Sequence, residues 1–374
     1  MKSKNQKVVV AMSGGVDSSV AAYLLKELGF DVIGVFMRFW SPDEKYKLPH
    51  CAFENLCCSA EARRMAEKTA NKLKIPFHIL DLRNFFKKNI VNYFIDEYLS
   101  GRTPNPCVVC AQKIKFQALF QKARKIFEAD CLATGHYARI ASIKETRNKK
   151  QETVCKLLKG KDKNKDQSYF LYTATQNVLK HFLFPVGDYT KERIRKIAKE
   201  NKLPSYKRAE SQEVCFVPFG NYKDFLKRQV ALRKFKKGKI VDKEGNLLGK
   251  HQGIAFYTIG QRRGIGIAQK KPLYVVDINT KKNLIIVGSE KGLYKKELTA
   301  ENVSWISGNA PQKGEKVKAK VRYGMKEQEA RIYPAKNKLK VVFKKPQRAI
   351  TSGQSVVIYK GNKVLGGGVI KKVL

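Results

Sequence analysis

Two short runs of the sequence carry residues whose types and spacing suit them to chemistry. The first is Ser13-Gly14-Gly15-Val16-Asp17-Ser18, set between the apolar run Val8-Val9-Val10-Ala11-Met12 and a helical pattern beginning near Ser19. Glycines let a backbone approach an anion, a helix N-terminus presents unpaired N–H groups and a positive dipole end, and serine hydroxyls add donors. The pattern predicts a phosphate site, with Asp17 placed to help hold Mg2+. No lysine stands where a Walker A loop requires one, so this is not the usual kinase or GTPase cradle. A tight turn with Ser as N-cap would explain Gly-Gly alone but not the whole hexapeptide.

The second run is Thr103-Pro104-Asn105-Pro106-Cys107-Val108-Val109-Cys110, a proline-fixed loop leading into a helical stretch with Lys113 and Lys115. It holds two thiols close together. Nearby cations and a helix N-terminus favour the thiolate, which is the reactive form, and Cys110 is the better candidate nucleophile. Cys215, within Glu210-Ser211-Gln212-Glu213-Val214-Cys215-Phe216, is distant in sequence but able to join them in a fold. Cys131 and Cys155 read as small buried hydrophobes, whereas Cys51, Cys57 and Cys58 stay unassigned. A structural zinc would want four ligands, and Cys107, Cys110 and Cys215 supply three.

These groups need a scaffold, and the first half of the chain alternates strand-like and helix-period segments. Lys7 to Met12 precedes Ser18 to Leu28, Asp31 to Met37 precedes Ser59 to Leu73, and Phe77 to Leu82 follows. That rhythm predicts an α/β fold with a parallel sheet covered by helices. After Ser59, Ala62, Met65, Ala66, Thr69 and Leu73 share one helix face, while Arg63, Arg64, Lys68 and Lys72 point elsewhere. Ala129 to Thr134 forms another buried strand that runs into Gly135-His136-Tyr137, at the end where open α/β sheets place ligands.

Lys144 to Gln167 is polar and Lys-rich, which suggests a surface hairpin or loop; Lys191 to Asn201 looks helical, and Pro204 to Phe216 extended or irregular. Pro218-Phe219-Gly220 marks a boundary, and from about residue 296 short alternating runs predict a small β-barrel. These runs are Val317 to Tyr323, Glu329 to Tyr333, Leu339 to Phe343, Ser355 to Tyr359 and Val364 to Ile370. The expected division is a catalytic unit over 1–217, a small central unit over 218–295 and a barrel over 296–374.

Lys and Arg number 76 against 32 Asp and Glu, a formal net charge of +44 that favours a polyanionic partner, nucleic acid first. The 43% of hydrophobic residues still permits conventional cores, so the charge does not mean disorder. Lys227 to Lys239 holds seven basic residues and no acid, which suits either a phosphate grip or a solvated helix face. No apolar run has the length of a signal peptide or a membrane span, and the eight cysteines read as reduced thiols, so the expected compartment is cytoplasmic.

Ser13 to Ser18 resembles the loop of PP-loop ATP pyrophosphatases, which release pyrophosphate and leave AMP on a substrate oxygen. Three further motifs extend the likeness: Ala133-Thr134-Gly135-His136-Tyr137-Ala138-Arg139, Lys165-Asp166-Gln167-Ser168-Tyr169-Phe170-Leu171 and Tyr257-Thr258-Ile259-Gly260-Gln261-Arg262-Arg263-Gly264. With the thiol segments they make nearly the whole chain resemble the tRNA-specific 2-thiouridylase family. The resemblance implies a nucleotide-binding α/β domain, a small central domain and a C-terminal β-barrel. It also implies adenylation of the C2 oxygen of wobble uridine 34 in a tRNA anticodon loop, followed by sulfur transfer.

By the same resemblance, Ala11, Met12, Ser13, Gly14, Gly15, Val16, Asp17, Ser18, Met37 and Gly135 contact ATP. Asn105, Pro106, Cys107, Lys165, Asp166, Gln167, Arg322, Tyr323 and Gln354 contact tRNA, and His136 lies beside the reacting base. The plainer alternatives are that Asp166 and Gln167 cap a turn and that Arg322-Tyr323 is an exposed strand end. One departure matters: many members carry Asp where this chain has Cys107. Three thiolates can ligate a 4Fe-4S cluster and leave one iron open to sulfide. Two routes therefore stand open. In one, Cys215 carries a persulfide sulfur and Cys110 closes a disulfide to release it; in the other, Cys107, Cys110 and Cys215 hold the cluster. The sulfur donor would be a persulfide carrier protein or sulfide. Competing readings are a PP-loop ligase acting on a small metabolite and a non-catalytic RNA-binding protein with a dead nucleotide fold.

Overall fold

The computed structural model describes residues 6–39, 59–147, 150–210, 214–217 and 221–374. Cys51, Cys57, Cys58, Ser211 to Glu213 and the boundary at Pro218-Phe219-Gly220 lie outside the described residues.

The first unit is built on β1 (Lys7–Ala11), β2 (Asp31–Arg38), β3 (Phe77–Asp81), β4 (Cys131–Thr134) and, after a hairpin, β7 (Phe182–Leu183). They form one sheet in the order β3-β2-β1-β4-β7, with every neighbouring pair parallel. The continuous apolar run of β1 suits a strand buried on both faces. Its period of two sends Val9 and Ala11 into one core and Val8, Val10 and Met12 into the other. Helices α1 (Val16–Glu27) and α2 (Ala60–Lys72) cover the second face through Val16, Val20, Ala62 and Ala66. On the first face lie α3 (Pro106–Cys110) and the helical stretches that follow it, Ala111–Leu119 with π-helical winding and Phe120–Phe127.

The chain moves outward from β1 to β2 and β3, then returns to place β4 on the other side of β1. That reversal makes the C-terminal ends of β1 and β4 a topological switch point, where open α/β sheets bind ligands. Ala11 pairs with Thr134 there, so the loops that follow both residues share one crevice.

The polar segment after β4 is a long antiparallel hairpin, β5 (Ala138–Arg147) and β6 (Lys150–Lys159). It leans on the last strand of the chain through Leu158 and Lys363. The central unit pairs β8 (Gly238–Val241), β9 (Leu247–His251), β10 (Tyr274–Asn279) and β11 (Leu284–Gly288) in the order β10-β11-β8-β9, over a small core of Ile240, Ile265, Val275, Ile285 and Val287.

The C-terminal unit is a barrel of β12 (Tyr294–Trp305), β13 (Glu315–Lys320), β14 (Gln328–Ala335), β15 (Lys338–Arg348), β16 (Ser355–Lys360) and β17 (Lys363–Val373). Their order is β12-β15-β14-β13-β16-β17, and β12 pairs with β17 to close it. Alternation sorts the residues: Leu339, Val341 and Phe343 point inward, while Lys338, Lys340 and Lys344 stay exposed. Much of the lysine surplus is thus carried outside apolar cores. Among the described residues no helix is long and apolar enough to cross a membrane.

Candidate nucleotide and thiol site

The phosphate loop is the turn from Met12 to Gly15 between β1 and α1. Gly15 is the N-cap of α1, and no side chain caps the helix, so its first N–H groups face the crevice. Ser18 and Ser19 each donate a hydroxyl hydrogen bond to Gly15 O at 3.0 Å, and Ser13 N donates to Ser18 Oγ at 3.2 Å. Gly14 adopts φ 75°, and a Cβ there would sit 2.1 Å from Ala62 O and 2.8 Å from the Arg208 guanidinium. A Cβ on Gly135 would meet Asp17 C and Ser18 N at 2.8 Å. The end of β4 therefore lies directly against the first turn of α1. Met37 lies in β2, two positions past the Val35 that pairs with Ala11, and shares a core with it.

Behind the loop stands a lattice of charges. Asp17 Oδ1 accepts the Tyr137 hydroxyl at 2.7 Å, and Lys191 Nζ donates to Asp17 Oδ1 and Oδ2 at 2.7 and 2.8 Å. Lys191 opens helix α4 (Lys191–Glu200), which the Thr190 hydroxyl caps. Its ammonium is also 3.0 Å from Glu210 Oε1, while Glu210 holds Lys165 at 2.6 Å and Arg195 at 3.4 Å. Burial alone would raise the Glu210 carboxyl, but hydrogen bonds from Lys165 and Lys191 outweigh it and hold the group at about 2. Burial and then the Asp17 charge push the Tyr137 hydroxyl far up, so it remains a donor to Asp17. Both Asp17 oxygens accept from Lys191, and Oδ1 accepts from Tyr137 as well.

The thiol loop is held differently. Asn105 caps α3 by accepting from Val108 N at 3.4 Å, and Pro106 takes the first turn, where its missing N–H costs nothing. The barrel grips the loop just upstream. Thr103 N donates to Ser352 O at 2.9 Å, and Gln354 Nε2 donates to Thr103 O at 3.1 Å and Pro104 O at 2.9 Å. Cys107 is exposed, Cys110 and Cys215 are partly exposed, and Cys131 and Cys155 are buried. Cys110 and Cys215 border the same apolar core. Phe216 anchors the second of them between Phe86, Phe94 and Phe225, with ring centroids 5.2 to 5.6 Å away. Among the described residues no three His, Cys, Asp or Glu side chains gather as a metal site, so Cys107, Cys110 and Cys215 are not arranged here as cluster ligands.

His136 joins the two regions. Lys115 Nζ lies 2.9 Å from His136 Nε2, and Thr134 Oγ1 lies 2.7 Å from Nδ1. An ammonium has no lone pair, so Nε2 accepts and Nδ1–H donates to the threonine. Burial and then the Lys115 charge hold the His136 pKa well below its ordinary value, and the ring is neutral. Lys115 follows Cys110 along the same helical run, whereas His136 adjoins Gly135, which abuts Ser18. An unbroken path of contacts thus connects the thiol helix to the phosphate loop.

The residues expected at tRNA fall into two sets. Asp166 accepts from Gly160 N, Ser168 N and Ser168 Oγ at 3.0 to 3.1 Å, and Gln167 Oε1 accepts from Tyr137 N at 3.0 Å. Arg322 donates to Ile259 O at 3.2 Å and to Thr351 Oγ1, tying the barrel to the central unit. Together with Asn105 and Gln354, these side chains build the scaffold. The outward set comprises Cys107, Lys165 and Tyr323, whose ring lies 4.4 Å from Phe170 with Lys320 beside it at 5.4 Å. Lys115 was named from the sequence only as a cation near the thiols, and Lys191, Arg195, Arg208 and the roles of Tyr137 and Glu210 escaped the sequence reading. The last two sat inside quoted motifs; the lysines and arginines had no signal among 76 of their kind.

Comparison with known proteins adds three family matches. Residues 6–219, more than half of the chain, match the tRNA methyl transferase HUP domain, 223–289 the tRNA methyl transferase PRC-barrel domain and 295–370 the aminomethyltransferase beta-barrel domain. The tRNA-specific 2-thiouridylase MnmA of Clostridioides difficile is 47% identical over 373 residues, covering 99% of each chain. The tRNA-specific 2-thiouridylase MnmA 2 of Thermoanaerobacter pseudethanolicus is 50% identical over 371 residues, again covering 99% of each. A solved 4-thiouridine synthetase–RNA complex with bound ATP is far more remote, at 17% identity and a TM-score of 0.34 over 60% of this chain and 50% of that one, and nothing rests on it. The domain descriptions speak of methyl transfer and the full-length relatives of thiolation, and the full-length identity decides between them: the chain belongs to the tRNA-specific 2-thiouridylase family.

Proposed function

We propose that this chain is a tRNA-uridine 2-sulfurtransferase that consumes ATP to convert wobble uridine 34 to 2-thiouridine. The observation that carries the reading is the contact path from Ser18 through Gly135, His136 and Lys115 to the helix of Cys110. It links the turn read here as phosphate-binding to the helix that carries the Cys110 thiol.

An anticodon loop is single-stranded, so unstacking its uridine costs only a few kcal/mol. The C2 oxygen attacks the α-phosphate of ATP, the bond to the β-phosphate breaks, and pyrophosphate leaves. The α1 N-terminus, the Ser13 to Ser18 turn and the nearby Arg208 balance the developing charge. A persulfide on Cys215 then attacks C2 with its terminal sulfur and expels AMP, which leaves a C2–S–S–Cys215 link. The Cys110 thiolate attacks Cys215 Sγ, the other S–S electron pair passes to the tRNA sulfur, and 2-thiouridine departs from a Cys110–Cys215 disulfide. His136, neutral and fixed by Lys115 and Thr134, shapes the wall between nucleotide and thiol. Lys165, Tyr323 and the basic stretch from Lys227 supply the outer grip on tRNA. Recharging in the cytoplasm needs a thiol reductant to open the Cys110–Cys215 disulfide and a persulfide carrier protein to pass its outer sulfur to Cys215 by thiol exchange.

The 4Fe-4S route needs Cys107, Cys110 and Cys215 to converge, which they do not do here, and no step is drawn through a cluster. Iron and sulfide quantitation after anaerobic purification separates the routes. Following labelled ATP tests the function: tRNA-dependent pyrophosphate release supports it, metabolite dependence points to a ligase, and absence of turnover to a non-catalytic RNA-binding protein.

A further inference from the structure

The half-buried Lys115 ammonium carries three hydrogens. Among the described residues its one hydrogen bond goes to His136 Nε2 at 2.9 Å, and no carboxylate pairs with it. Other cations of the region are neutralised: Lys191 by Asp17 and Glu210, Lys165 by Glu210, and Lys159 by Glu327. Lys115 instead meets a neutral ring, and its charge helps to keep that ring from taking a proton. Withdrawing a cation from water without a countercharge is costly, so a charge held this way is stationed for an anion that arrives later. Its place is fixed from both sides. Ile114 and Phe116, its neighbours in the helical stretch Ala111–Leu119, are buried in the core. The imidazole is pinned through Nδ1 to Thr134 Oγ1 at 2.7 Å, and Thr134 pairs with Ala11, where β1 ends just before the phosphate turn. One imidazole therefore spans from the strand ends that carry the turn to an ammonium five positions after Cys110.

The terminal phosphates of ATP suit the turn and the α1 N-terminus, whose first N–H groups no side chain caps. The α-phosphorus comes next along the nucleotide, and adenylation bonds it to the base whose C2 the sulfur must then reach. It has to stand between the turn and the thiol helix, the interval that His136 and Lys115 bridge. We propose that Lys115 is a catalytic residue whose ammonium holds a non-bridging oxygen of the ATP α-phosphate through its remaining hydrogens. Lys115 forms and breaks no covalent bond and keeps its protons. It offsets charge on the α-phosphate during adenylation and again when AMP is expelled from C2. The inference rests on the proposed function, because it needs ATP at Ser13 to Ser18. A backbone phosphate of tRNA offers oxygens of the same kind, and the experiment separates the two sources.

The test follows single-turnover release of labelled pyrophosphate from ATP and Mg2+ by the full chain with saturating tRNA, comparing the parent with Lys115→Met and Lys115→Arg. Unfolding temperature and Kd for tRNA are measured on the same proteins. Lys115→Met is expected to release pyrophosphate about a hundredfold more slowly, the scale of removing one fixed donor from developing charge, with Kd for tRNA unchanged. Lys115→Arg keeps the charge in a different shape and should stay within about tenfold of the parent. A second measurement depends on no variant: the parent should use the two α-phosphorothioate diastereomers of ATP at rates about tenfold apart, and equal rates would overturn the contact. Pyrophosphate release at the parental rate by Lys115→Met also overturns it. In that case loss of thiolation alone would assign the charge to the thiols, and a raised Kd for tRNA would assign it to a backbone phosphate; both leave the proposed function standing. A parent that releases no pyrophosphate with tRNA overturns the inference and the proposed function together.

Discussion

The turn around Asp17 and the loop around Cys107 and Cys110 are held by opposite means. Around Asp17 the fixing contacts are ionic: Lys191, Glu210, Lys165 and Arg195 share protons among side chains from separate elements. Around Cys107 and Cys110 they are neutral, with backbone and amide groups of the barrel holding the carbonyls of Thr103 and Pro104. Ionic contacts can be exchanged for those of an incoming polyanion, whereas a neutral clamp has nothing to trade with a phosphate. The difference teaches that the contacts around Asp17 are of a kind an incoming polyanion can exchange, and those around the thiol loop are of a kind it leaves alone.

The sharpest way to break that contrast is Gly135→Ala. Its Cβ would press within 2.8 Å of Asp17 C and Ser18 N, forcing the β4 end and the phosphate loop apart. Displacement of that order should cut kcat/KM for ATP by about a hundredfold. Alkylation of Cys110 should be unaltered, as peptide mass spectrometry would report. At the other end, Gln354→Glu keeps the shape but points a carboxylate at two carbonyls. Sulfur transfer should slow by about tenfold, the effect of losing donors to buried acceptors, while KM for ATP stays put in steady-state assays.

A smaller effect concerns acid stability. Glu210 has its pKa lowered from an ordinary 4.5 to about 2, so its contacts stabilise the fold fully above 4.5 and lose that contribution as pH falls toward 2. Urea midpoints should drop more steeply over that window for the parent than for Glu210→Gln. The smallest effect lies in between the two ends. His136 is held neutral, so its ring nitrogens should show no protonation between about pH 6 and 8 by NMR, although an ordinary histidine titrates there.

Local chemistry made part of this visible in the sequence. The three valines of β1 announce a strand buried on both faces, Ser59 heads a helix whose Ala62, Ala66 and Thr69 turn inward, and the fold class follows from their alternation. The family motifs pointed to the crevice for the same reason, since a phosphate turn is a local object. Long-range pairing was not visible. Lys191 meets Asp17 across 174 positions, and nothing in its neighbourhood distinguishes it from other helical lysines. Two-residue β7 is too short to show a period, and β12 lacks clean alternation because only Leu298 and Ala300 of it are fully buried. Asp166 and Gln167 stood out by motif, yet their side chains serve the turn and the Tyr137 backbone, a use that only the folded hairpin reveals.

The central claim is that one crevice carries both activation by ATP and delivery of sulfur from cysteine. Its most direct test is nucleoside mass spectrometry of unmodified tRNA incubated with ATP, a sulfur donor and either the parent or Cys110→Ser. The account predicts 2-thiouridine from the parent and none from Cys110→Ser, which should still release pyrophosphate when tRNA is present. Formation of 2-thiouridine at the parental rate by Cys110→Ser would contradict it.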